Sequence, residues 1–224
     1  MGAPLPERAR WWARSGTGLV LAVAIGIISA GLWWRSAAPA DDSPEAGFAR
    51  DMATHHAQAV EMAFVIRDKS SDQELRALAY DIIVTQSAQR GVFMGWLQAW
   101  GLPQASRRPR MAWMPGHAHL TAGPNGAPLM HGMATGDELR RLRMERGTAA
   151  EVLFLELMIR HHDGGIVMAR ALRPLSRRAD VRRVTVSIED SQAAEIAQMK
   201  QMLAARMRGV KETRTTEASD RLPL

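Results

Sequence analysis

The sequence predicts an all-α protein: a four-helix bundle built from two duplicated helical hairpins and preceded by one N-terminal transmembrane helix. Three observations predict it. A Met-x-x-His-His element occurs twice, in "DMATHHAQAV" from Asp51 and in "LMIRHHDGGI" from Leu157. The segments around both copies carry helix-capping residues and an apolar stripe at helical spacing, and no run alternates as a strand would. Finally, "SGTGLVLAVAIGIISAGLWW", Ser15 to Trp34, contains no charge.

Residues 1–14 are expected in the cytoplasm and residues 15–35 as a transmembrane anchor or uncleaved signal. As a helix the charge-free stretch rises roughly 30 Å, about the thickness of a bilayer's hydrocarbon core. Arg8, Arg10 and Arg14 precede it, which retains the N-terminus inside and exports the chain beyond Arg35. "APA" at Ala38 to Ala40 offers a cleavage site, in which case the domain is secreted. Either way the domain lies outside the cytoplasm. Residues 36–44 form a polar linker. Ser43 followed by Pro44 opens a helix that runs to about Lys69. Ser71 with Glu74 makes a capping box for a second helix, which ends near Gly101. Residues 102–134 are rich in Pro, Gly, Met and His and have no sustained period, so they read as loop. Thr135 with Glu138 opens a short helix ending by Gly147, and Thr148 with Glu151 opens a long one that Pro174 stops. A last helix from near Asp180 to Gly209 completes a domain over 45–209, and 210–224 is a polar tail.

The repeat is larger than the His pair. A shift of 106 positions superposes Phe48 on Phe154, Met52 on Met158, His55 and His56 on His161 and His162, and Met62 on Met168. The same shift continues without a gap to match Ile82 with Ile188, Gln86 with Gln192 and Leu97 with Leu203. A helical hairpin has been duplicated. Two hairpins, each with one apolar stripe, bury those stripes best against one another. At 100° per residue Phe48, Met52, His55, His56, Ala59, Met62 and Ala63 fall within roughly 120°, as do their counterparts, so the motif faces the core. Gln86 and Gln192 interrupt the stripes of the second and fourth helices. A buried amide needs a partner, and a facing histidine could be that partner. Gly164 and Gly165 sit inside a helix at a cost of about 1 kcal/mol each, which points to close backbone approach or access.

Composition narrows the chemistry. The 224 residues include no cysteine, so neither disulfides nor thiolate ligands are available, and any soft ligand must be one of the 14 methionines. Met52 lies one turn from His55 and His56, close enough for thioether and imidazole to share an ion, and Met158 is placed likewise beside His161 and His162. Met62 is two turns from His55, a rise of roughly 10 Å, so it belongs to a second site or to packing. In the loop, Met111 with Met114, His117 with His119, and Met130 and His131 with Met133 can each close a small chelate. Thioether suits Cu(I), and imidazole accepts both copper oxidation states. The net charge of +6 comes from arginines spread along the chain without a nucleic-acid motif, so solvated faces and anionic lipid explain it and no nucleic-acid partner is expected.

"FARDMATHHAQAVEMA", "MHGMATGDEL" and "FLELMIRHHDGGIVMA" followed by "SQAAEIAQM" resemble the DUF305 family, over nearly all of Glu45 to Met207. The resemblance implies a ferritin-like four-helix arrangement and copper binding through Met and His in an exported, often membrane-anchored protein. Carried over, it implies Met52, His55, His56, Met62, Met158, His161, His162 and Met168 as the ligand set. The loop departs from the family's denser methionine pattern by mixing Met with His.

The functional expectation is an extracytoplasmic protein that sequesters or hands over copper, without catalysis. Its expected partners are the metal ion, the membrane through the N-terminal helix and a copper-trafficking protein. Two other classes compete with it. A ferritin-like oxidoreductase would need bridging carboxylates and Glu-x-x-His, and no Glu precedes either His pair at that spacing. A metal-free structural or protein-interaction bundle would use the four histidines as a core hydrogen-bond network.

Overall fold

The computed structural model describes residues 20, 23–27, 38–116 and 130–219, with side chains to 209 at the C-terminal end. The chain divides into two units, 1–38 and 39–224. In the first, residues 20 and 23–27 are helical and exposed. The rest of the expected span at 15–35 lies outside the described residues, and among the described residues no helix is long and apolar enough to cross a membrane.

The second unit is helical throughout its regular elements, with no strand among the described residues. Its helices are α1 (Pro44–Lys69), α2 (Gln73–Ala99), α3 (Gly136–Met144), α4 (Gly147–Leu172) and α5 (Ala179–Ser219). Ser43 caps α1 as expected, its hydroxyl accepting from the Ala46 amide, with Pro44 in the first turn. Thr135 and Glu138 form the expected capping box of α3.

Two other caps differ from the sequence reading. The N-cap of α2 is Asp72, not Ser71, and its carboxylate takes the Leu75 amide. Helix α4 starts from Arg146, not Thr148, and has no side-chain cap because a guanidinium cannot accept; Glu151 is engaged elsewhere. Its carboxylate accepts from the Ser70 hydroxyl and from Arg206 of α5, and Arg206 also reaches Asp72. A residue that could cap its own helix instead ties the N-terminus of α2 to α4 and α5. The C-terminal end differs too: α5 continues ten residues beyond Gly209, to Ser219, into the expected tail. One glycine costs a helix about 1 kcal/mol, too little by itself to end one, and the next proline in the sequence, Pro223, comes only after Ser219.

Helix α1 pairs with α2, α4 pairs with α5, and the two hairpins meet through α1 against α4. The predicted stripe of α1 is buried from Phe48 through Ala63, and that of α4 from Phe154 through Ala169, with Ile66 and Leu172 extending them by a turn. Each large apolar side chain so removed from water contributes about 1.5–3 kcal/mol, offset mainly by chain entropy.

The core has two parts. One holds Met62, Met158, Met199 and Met202 among leucines and isoleucines. The other holds Met52 and Met168 with Phe48, Phe93, Leu97 and two residues of the loop, Met111 and Met130. Met52 therefore groups with Met168, and Met62 with Met158, as expected if the two copies run antiparallel.

Candidate metal centre

The duplicated histidines lie between these two methionine groups, and all four are fully buried. Helical spacing separates the members of each pair by 100°, and the structure uses that difference. His55 and His161 face each other across the seam between α1 and α4, with ring centroids 3.7 Å apart and planes inclined by 32°. His56 and His162 turn back into their own hairpins. Nε2 of His56 lies 2.7 Å from Oε1 of Gln89 on α2, and Nε2 of His162 lies 2.5 Å from the Glu195 carboxylate on α5. Rings within each pair are 6.3 Å and 6.4 Å apart. Each pair thus divides between the seam and its own hairpin, where the sequence suggested one shared inward set.

Gln89 and Glu195 were missed in the sequence because they are unlike residues at matched positions, and a search for identities passes over them. Gln86 and Gln192, expected to hold the histidines, are buried one turn away, and neither amide has a hydrogen-bond partner. Gln192 packs instead against Gly165, where an added Cβ would strike its amide.

The loop forms one wall of the site. Asp51 accepts the Met111 amide at 2.7 Å and the Trp113 indole N–H at 3.0 Å, holding Met111 at a φ of 63° with its side chain in the core. Burial raises the Asp51 pKa, and those two donors, with Arg110 and Arg50, work against that rise. Further on, the His131 carbonyl accepts from Nε2 of His55 at 3.0 Å, and Gln58 binds the backbone of Ala134 through both its N–H and its carbonyl. Gly164 explains itself here: a Cβ on it would collide with the His131 carbonyl, and one on Gly132, at a φ of 74°, with the Arg160 carbonyl. Met114 and Met133 pack partly buried against the Met52 cluster, and His131 is half-buried. The loop methionines read as separate small chelates therefore share one cluster with Met52 and Met168. His117 and His119 lie outside the described residues.

Electrostatics leave imidazole lone pairs available. Burial lowers the His55 pKa to about 3, helped by the charge His56 would carry, and burial lowers that of His56 to about 4. Burial and the neighbouring imidazoles lower that of His161 well below its ordinary value. A carbonyl only accepts, so His55 donates through Nε2 and presents a lone pair at Nδ1. The Nδ1 atoms of all four histidines, and Nε2 of His161, are buried without a hydrogen-bond partner. Among the described residues no three His, Asp or Glu side chains group to hold an ion. A cation here would depend on thioethers beside imidazoles, a donor set that fits a soft ion.

A family described as a domain of unknown function, DUF305, matches residues 45–203. A DUF305 protein of Streptomyces coelicolor assigned as secreted is 44% identical, with a TM-score of 0.67 over 75% of this chain and 96% of its own. A DUF305 fragment from Deinococcus radiodurans is 31% identical, with a TM-score of 0.60 over 72% and 96%. CopM in its Cu(I)-bound form is 26% identical, with a TM-score of 0.53 over 73% and 96%, and its Cu(II)-bound form is 28% identical at 0.54. None of the curated proteins matches the chain.

Proposed function

The chain belongs to the DUF305 family, and from that premise we propose that it is an extracytoplasmic copper-binding protein, sequestering or handing over the ion rather than catalysing a reaction. Its two hairpins are read as a ferritin-like four-helix bundle, and the charge-free segment at 15–35 as its export signal or anchor. The observation that carries the proposal is the set of buried Nδ1 atoms on His55, His56, His161 and His162, none hydrogen-bonded, between two groups of buried methionines. Leaving polar atoms unpaired in a core is costly, and an ion that takes their lone pairs relieves that cost. Likeness to CopM, seen with Cu(I) and with Cu(II), supports copper as the ion.

In this reading Met52, Met158 and the four histidines are the inner ligands. Met168 and Met111 with Met130 extend the first group, and Met62 the second. The test is a Cu(I) competition titration of the full chain against a chromogenic chelator, beside the double variant His55→Ala with His161→Ala. The wild type is expected to withdraw Cu(I) from the chelator and the folded double variant to lose most of that ability. A wild type that leaves the chelator loaded would make the histidines a structural network.

A further inference from the structure

Gln89 and Glu195 occupy the same place in the two copies, 106 residues apart, and each reaches Nε2 of the second histidine of its motif. Their chemistry differs. An amide can accept through oxygen or, rotated by half a turn, donate through nitrogen, so it tolerates either tautomer of His56. A carboxylate only accepts, so His162 must carry its proton at Nε2. The Nδ1 atom of His162 is buried with no hydrogen-bond partner, so an N–H there would be left unpaired, whereas a lone pair there can meet a cation. The carboxylate also places a negative charge one imidazole away from any ion at Nδ1. Its side chain is only 16% exposed and that of His162 is fully buried, so water screens this charge weakly.

Building on the copper reading above, we propose that Glu195 is a positioning residue: it commits His162 Nδ1 to the metal and makes the second copy the preferred seat of Cu(II), a role that Gln89 does not fill in the first copy. A carboxylate behind a ligating imidazole fixes the tautomer and raises ligand basicity. Its charge favours a doubly charged ion more than a singly charged one. The duplicated protein therefore holds two half-sites of unequal character.

The experiment compares wild type, Glu195→Gln and the reciprocal Gln89→Glu in the full chain. Two-bond proton–nitrogen spectra of the metal-free protein should show the Nε2–H tautomer for His162 in the wild type and a mixture in Glu195→Gln. Titration with Cu(II) should then show affinity weakened on the order of tenfold in Glu195→Gln, with Cu(I) affinity changed much less, and strengthened in Gln89→Glu. If Glu195→Gln fails to fold, the Gln89→Glu gain decides. Equal losses for both oxidation states, an unchanged Cu(II) affinity, or no gain in Gln89→Glu would overturn the proposal while leaving copper binding intact. A wild type that binds neither ion would overturn it together with the functional reading.

Discussion

Gln58 and Gly164 stand at the same position in the two copies of the hairpin and serve the same loop in opposite ways. Gln58 on α1 clamps the backbone of Ala134 with two hydrogen bonds, and Gly164 on α4 removes a side chain so that His131 and Gly132 can cross. Asp51 and Leu157 differ in the same fashion: the first anchors Met111 and Trp113, while the second stays in the apolar core. The residues that agree between copies build the helices and bury the histidines. Those that disagree distinguish the two faces. A duplication alone would give two equal halves, and the unlike residues at matched positions, those that dock the loop among them, make them unequal.

The largest expected effect tests the features that the copies share. The folded-state pKa values of His55 and His56 are depressed to about 3 and about 4, and that of His161 is depressed too. Below the ordinary value near 6.5 the unfolded chain therefore binds more protons than the folded one. Stability is full above about pH 6.5 and is lost as the pH falls toward the folded values, at about 1.4 kcal/mol per pH unit for each imidazole kept neutral. Urea unfolding of the metal-free protein at pH 7.5 and 5.5 should differ by several kcal/mol. His55→Gln and His161→Gln should each flatten that dependence by about one imidazole's share. If only one does, the copies differ in burial as well as in partners.

The helices were legible in the sequence because caps and periodicity are local. Ser43, Thr135 and the stripes from Phe48 to Ala63 and from Phe154 to Ala169 all read correctly. The misreadings came from contacts made at long range. Glu151 sits three residues after Thr148, as a capping box requires, yet Arg206 and Ser70 claim its carboxylate. Gln86 and Gln192 repeat identically and drew notice, whereas Gln89 and Glu195, which meet the histidines, do not. Nor does any periodicity reveal that Met111 and Met130 enter the core, since irregular backbone brings them there. The two adjacent glycines, costly in a helix, were the available signal that something crosses α4.

Those glycines give the next effect in size, and they separate the loop side of α4 from its α5 side. Alanine at either position gains about 1 kcal/mol of helix propensity. At Gly164 the new Cβ meets the His131 backbone, which must shift. Overpacking of this kind costs about 2–3 kcal/mol, enough to outweigh the gain. At Gly165 the Cβ meets the end of the Gln192 side chain, which can rotate away. Gly164→Ala should lower the melting temperature and loosen the bond from His55 to His131. Gly165→Ala should be close to neutral. Equal destabilisation by the two would mean that the loop presses on α4 no harder than α5 does.

Gln58→Ala should cost less than Gly164→Ala, because it removes a clamp while leaving the groove. Two hydrogen bonds to Ala134 are lost, but Gln58 is itself half-buried, so water can reach part of the space it vacates, and the net cost should be about 1 kcal/mol. The informative readout is local. Amide exchange at Ala134 should accelerate while that at Met111, held separately by Asp51, stays slow. If both accelerate together, the two ends of the loop are docked as one unit and the first copy grips it cooperatively. If only Ala134 responds, Gln58 and Asp51 are independent anchors, and the segment over His55 can open while Met111 remains in the core beside Met52.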